Sequence, residues 1–167
     1  MAYSAMAVAN ALVKRAKEGK VAHLSPMKLQ KLLFYVQSWH LAKQGRPLID
    51  DFFCRWKYGP VIPSLYHEFK EYGPNPITAY GGHIVEEEGA LTKRRPIVSE
   101  QDTRTWELID EILAEYGAYS GSTLSTMTHE KDSAWSTSGG VDGNPIPNDM
   151  LREATLRDGR FKARGAA

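Results

Sequence analysis

The longest hydrophobic pattern in the chain lies between Ser25 and Gln44. Leu29, Leu32, Leu33, Val36 and Trp39 recur at helical spacing, with Met27, Phe34 and Leu41 on the flank and Tyr35 and Ala42 on the opposite side. A helix this apolar around its circumference is buried on several sides. Ser25 is placed to cap the free N–H groups of the first turn, and Pro26 suits the next position, whose N–H has no helical acceptor. Gln30, Gln37 and Gln44 fall every seven residues along one line of the helix. They are expected to hydrogen-bond to a neighbouring element or to water.

The patterns on either side predict further elements. Ala5, Met6, Ala9, Leu12, Val13 and Ala16 mark a helix from about Tyr3 to Lys17 that stops at Gly19, and a connection this short places it beside the Ser25 helix. Phe52 to Tyr58 reads as extended, with Phe52, Cys54, Trp56 and Tyr58 on one face and Phe53, Arg55 and Lys57 on the other. Gly59-Pro60 then turns the chain into a helix from Val61 to Tyr72, with Ile62, Leu65, Tyr66 and Phe69 inward. Short strands at Ile77–Tyr80 and His83–Val85, or a mobile loop, fit the looser stretch that follows, where Lys93-Arg94-Arg95 faces Glu86-Glu87-Glu88. Ser99-Glu100-Gln101-Asp102 caps a helix whose buried stripe is Trp106, Ile109, Ile112, Leu113 and Tyr116. Ser122 is read as the cap of a helix carrying Leu124, Met127 and Thr128. Residues 136–147 read as a loop, and a last helix starts near Asn148 with Met150, Leu151 and Ala154.

The implied fold is mainly α: a single compact domain of about six helices packed around the central Ser25 helix, with a small extended β element near Phe52 to Tyr58. Residues 1–158 form this domain, and the basic stretch 159–167 is expected to be a mobile tail.

Composition narrows the function classes. A chain of 167 residues with 42% hydrophobic and 25% charged residues is long enough to bury a core. The sequence carries no apolar run of membrane-span length and no basic-then-apolar start, so the expected location is cytoplasmic. A single cysteine, Cys54, rules out an internal disulfide and a cysteine-based zinc site. A net charge of +1 argues against a broad nucleic-acid footprint.

Candidate chemistry is sparse. The five histidines (His23, His40, His67, His83, His129) form no His-x-x-x-His pair, and no phosphate-binding glycine loop appears; Gly139 to Gly143 lacks the flanking strand and helix. No cofactor is therefore expected. One enzymatic alternative is a small hydrolase or transferase using His129, with Thr128 or Cys54 as nucleophile and Glu130 as orienter. Adjacent helical residues diverge, so Thr128-His129-Glu130 is not by itself a triad. A second alternative is a DNA-binding operon regulator using Arg152, Arg157, Arg160, Lys162 and Arg164.

Three stretches carry a resemblance. Ser25-Pro26-Met27-Lys28-Leu29-Gln30-Lys31-Leu32-Leu33-Phe34-Tyr35-Val36-Gln37, then Trp56-Lys57-Tyr58-Gly59-Pro60-Val61, then Leu124-Ser125-Thr126-Met127-Thr128-His129 with Trp135 downstream, are similar to the signature blocks of the Panacea-domain family. That family includes SocA-like antitoxins and phage-associated proteins of the GepA type. Ala134 stands where the family often has proline. The resemblance makes Lys28, Leu29, Gln30, Lys31, Leu32, Gly59, Pro60, Thr128 and His129 structural motif positions. It implies a non-enzymatic antitoxin that binds a cognate toxin protein and that, as SocA-like members do, acts as a proteolytic adaptor delivering it to ClpXP. Ala166-Ala167 resembles the small-residue ends that some unfoldases grip. Trp56, Lys57, Tyr58 and Trp135 are the expected partner-facing residues, because aromatic and cationic side chains on a rigid corner anchor interfaces.

Overall fold

Helix α2 (Pro26–Gln44) runs through the middle of the molecule, and thirteen of its nineteen residues are buried, on every side. Ser25 Oγ accepts the Lys28 N–H, and Gly45 ends the helix at a φ of 72°, so both termini are set by the residues the pattern marks. The computed structural model describes residues 2–139 and 142–164. Among these, eight α-helices and two two-stranded antiparallel sheets make up the domain.

Around α2 pack α5 (Gly121–Thr128) and α7 (Asn148–Arg157) most extensively, with α4 (Thr103–Tyr116) next; α1 (Ala5–Lys17) and α3 (Pro63–Phe69) touch it over shorter lengths. Tyr35 stacks on Tyr116 of α4 with ring centroids 3.9 Å apart, and Trp39 meets Tyr116 edge-on. Offset and edge-to-face aromatic pairs add to the area term of burial. All five residues of the α4 stripe are buried, and Asp102 caps that helix through the Thr105 N–H.

The glutamine line works as backbone anchors. Gln30 donates to Ile62 O and accepts from Ile62 N, while Gln37 donates to Ile49 O and accepts from the N–H groups of Leu48 and Ile49. The backbones of Ile62 and of Leu48–Ile49 are thereby fixed to the core helix. Gln44 is exposed in the last turn of α2. His40, half-buried one turn earlier, reaches the Arg46 carbonyl through Nδ1.

Several boundaries differ from those the sequence predicts. The extended segment is β1 (Cys54–Trp56), and its partner is β2 (Gly59–Val61), formed from residues expected to be a corner and the start of a helix. Helix α3 starts at Pro63, because Ile62 is still extended and Pro63 supplies the fixed φ of a first helical residue. Its last turn tightens into a 3-10 turn at Lys70–Tyr72. Ser120, not Ser122, caps α5, since Ser120 is the extended residue and its Oγ accepts from Thr123 N. α6 (Ala134–Ser138) occupies the start of the stretch read as a loop, capped by Ser133.

Ile77–Tyr80 forms no strand; Ile77 N donates to Leu24 O instead. Beyond it, β3 (His83–Glu87) and β4 (Ala90–Arg94) form a hairpin turned by Glu88 and Gly89, both at positive φ. Arg94 pairs with Glu87 and Lys93 with Glu68. Residues Gly159–Arg164, expected in a mobile tail, form the short helix α8, because Phe161 inserts edge-on against Trp39 with centroids 5.3 Å apart. Ala166-Ala167 lies outside the described residues.

Candidate partner-binding surface

The β1–β2 hairpin pairs Trp56 with Gly59, leaving Lys57 and Tyr58 at its tip. Gly59 has a φ of 113°, and a Cβ there would lie 2.7 Å from Thr128 Oγ1 and 2.8 Å from Lys31 Cε. Only glycine fits both the dihedral and the space. Pro60 is tolerated because a two-stranded sheet consists of edges.

A hairpin this short leaves most of its carbonyls without ladder partners, and buried carbonyls need donors. Side chains from three helical segments supply them. Trp135 Nε1 donates to Trp56 O at 2.8 Å, His129 Nε2 lies 2.9 Å from Lys57 O, Ser125 Oγ donates to Tyr58 O at 2.5 Å, and Lys31 Nζ donates to Pro60 O at 3.1 Å. The three sequence blocks thus converge on one turn, one block providing its backbone and the other two its donors.

The ionisable members are specialised for this task. His129 Nδ1 lies 2.6 Å from Ser125 O, so both ring nitrogens face carbonyl oxygens; a neutral ring donates to one of them and an imidazolium to both. Neither nitrogen is directed at a nucleophile. Thr128 Oγ1 donates to its own helix at Ser125 O, and burial, with the nearby Asp51 charge, pushes the Cys54 thiol up. Lys31 is 2% exposed, and burial lowers its pKa to about 7. Lys28, also lowered by burial, bridges the carbonyls of Ala22 and Gly117, both at 2.7 Å. Both lysines stand where a charge-based reading of the helix expects solvent, and both are used as backbone donors.

Beside the hairpin, between the first turns of α2 and α3, lies a groove of 620 Å³. Its apolar walls include Met27, Leu29, Trp56, Tyr58, Tyr66 and Phe69. Tyr58 is 61% exposed, Tyr66 42% and Met27 36%, while Trp56 packs edge-on against Tyr66 at 5.0 Å. Lys57 and Lys70 line it, and Asp142, which also borders it, is held by Arg55 at 2.6 Å. Of the four residues expected to face a partner, Trp56, Lys57 and Tyr58 line the groove. Trp135 does not: its half-buried ring lies 4.0 Å from the Arg55 guanidinium carbon and 3.9 Å from the His129 ring. Met27 and Tyr66 are groove residues that sequence reasoning placed elsewhere: the helical pattern puts Tyr66 inward with Leu65 and Phe69, but it is 42% exposed.

The basic C-terminal residues are partly spoken for. Arg160 pairs with Asp158 and Glu130, and Arg164 with Glu115, whereas Arg152, Arg157 and Lys162 are exposed. Among the described residues no group of three His, Cys, Asp or Glu side chains could hold a metal ion, and no helix is long and apolar enough to cross a membrane.

The profile of the antitoxin SocA-like, Panacea domain matches residues 29–136, from the first buried leucine of α2 to just beyond Trp135. The chain belongs to the SocA-like Panacea family. It is 34% identical over 132 residues to antitoxin SocA of Caulobacter vibrioides (strain NA1000 / CB15N), a match covering 78% of this chain and 68% of that protein. No solved structure matches. The Panacea match spans the groove-lining hairpin and its four carbonyl donors, while α1, α7 and α8 lie outside it.

Proposed function

We propose that this Panacea-domain chain is an antitoxin that binds a cognate protein toxin and neutralises it without catalysis. The observation that carries this reading is the 34% identity to antitoxin SocA over 132 residues, beside a family match whose span, 29–136, includes the bracing residues and the hairpin. The chemistry of the site supports a binding role: the polar groups a catalyst would use, His129, Thr128 and Lys31, are engaged with backbone carbonyls. The aromatic surface of Trp56, Tyr58 and Tyr66 offers the kind of anchors that interfaces use.

Co-expression with the product of the adjoining open reading frame tests the reading. A stable complex and relief of that protein's toxicity are expected; absence of both across the neighbouring reading frames rejects it. A narrower version makes the chain a proteolytic adaptor that delivers the toxin to ClpXP. Toxin half-life should then lengthen when either ClpXP or this chain is removed, and an unchanged half-life leaves occlusion as the mechanism.

A further inference from the structure

We propose that the groove between α2, α3 and the 54–61 hairpin receives an apolar segment of the partner protein whose flanks carry carboxylates. The proposal rests on the antitoxin reading and specifies which surface is used and what chemistry it accepts.

The walls set the apolar part. Met27, Trp56, Tyr58 and Tyr66 present ring and thioether surface to solvent around one concavity, and a contiguous exposed apolar patch of this kind marks an interaction site. The hairpin that supplies two of these side chains is anchored through four carbonyls, so its aromatics project from a fixed backbone.

The charges set the flanks. Lys57 and Lys70 line the groove and form no salt bridge among the described residues. Among the described residues the one carboxylate at its border, Asp142, is already taken by Arg55. Lys31, in the inner wall, spends one hydrogen bond on Pro60 O, and an amine has further N–H groups to give. An incoming cationic segment meets like charge on this surface, and an anionic one meets complementary charge. Two exposed lysines are too few to follow a phosphate backbone, where several are needed. The other exposed apolar pair, Ile84 and Leu91 on one face of the β3–β4 hairpin, shares that face with Glu86 and Lys93 and so has no such bias.

The test uses the full chain with the co-expressed neighbouring gene product, and 15-residue peptides tiling that product. Three double variants are compared after thermal melts verify folding: Tyr58→Ala with Tyr66→Ala, Lys57→Glu with Lys70→Glu, and Ile84→Ser with Leu91→Ser as a control. Loss of the two tyrosines should weaken the complex about tenfold or more. Charge reversal should weaken it by about the same factor at low salt and by less at high salt. The control should bind as wild type, and the strongest peptides should be apolar with flanking Asp or Glu. A wild-type complex whose affinity survives both groove variants within about twofold overturns the groove while leaving the antitoxin reading in place. Failure of any complex to form overturns both. A free chain that dimerises, and becomes monomeric when Tyr58 and Tyr66 are replaced, overturns the proposal in favour of a second copy as the occupant.

Discussion

At Gly59 a single hydrogen atom separates the hairpin backbone from Thr128 and Lys31. Gly59→Ala adds a methyl group 2.7 Å from Thr128 Oγ1 at a φ of 113°, so the hairpin must shift or the donors must let go. A loss of about 1–3 kcal/mol is expected, read from urea unfolding. Lys31 makes a separate claim about pH. Burial brings its folded pKa to about 7, below the 10.5 of a lysine in water. Below about 7 the amine is charged in both states and the burial penalty is present throughout; between 7 and 10.5 the unfolded chain binds the additional proton, so stability rises with pH. Lys28 contributes in the same direction, whereas Tyr35 and Tyr116, whose pKa values burial raises, work the other way above pH 10. Lys31→Met should therefore flatten the rise in urea midpoint across that window, and an unchanged slope would show that Lys31 is not its source. None of this is legible in the sequence. A lysine at i+3 from another lysine reads as a solvated face, and only the approach of the Pro60 and Gly117 carbonyls shows where the amines go.

Elements with their own strong signal were legible, and those defined by a distant partner were not. α2 and α4 combine a cap residue with a continuous apolar stripe, so local chemistry and tertiary packing agree on their extent. The bonding of Gln30 and Gln37 followed from their spacing as well. β2 did not, because Gly59-Pro60 signals a turn locally, and its strand character exists only through pairing with β1. α8 has the same origin: a basic, apolar-poor stretch folds because Phe161 finds Trp39. Phe161→Ala should consequently cost about 3–5 kcal/mol and expose the sites after Arg157 to trypsin, while Lys162→Ala should leave the urea midpoint unchanged. If Phe161→Ala melts as wild type, α8 is not part of the cooperative unit.

For the whole molecule, the helices around α2 form the cooperative core and the β3–β4 hairpin stands apart from it. Leu91 is 77% exposed, and most side chains of this hairpin lie in solvent. Replacing residues 83–94 by a short Gly-Ser link should leave the melting temperature within a few degrees of wild type; a large drop would place the hairpin in the core after all. The candidate surface was legible in part. Trp56, Lys57 and Tyr58 could be named because aromatics beside a Gly-Pro turn are conspicuous, but the groove depends on α3 swinging Tyr66 across from them, a tertiary fact that no local pattern carries.

The carbonyl braces on the hairpin have a consequence for kinetics. A recognition loop that is floppy before encounter must be ordered during it, and that ordering slows capture and weakens the complex. On the proposed docking, the four carbonyl braces hold the tip in one shape before encounter, so association should show no concentration-independent isomerisation step. Damage to Ser125 or His129, residues outside the groove wall, would then surface as slow and heterogeneous association.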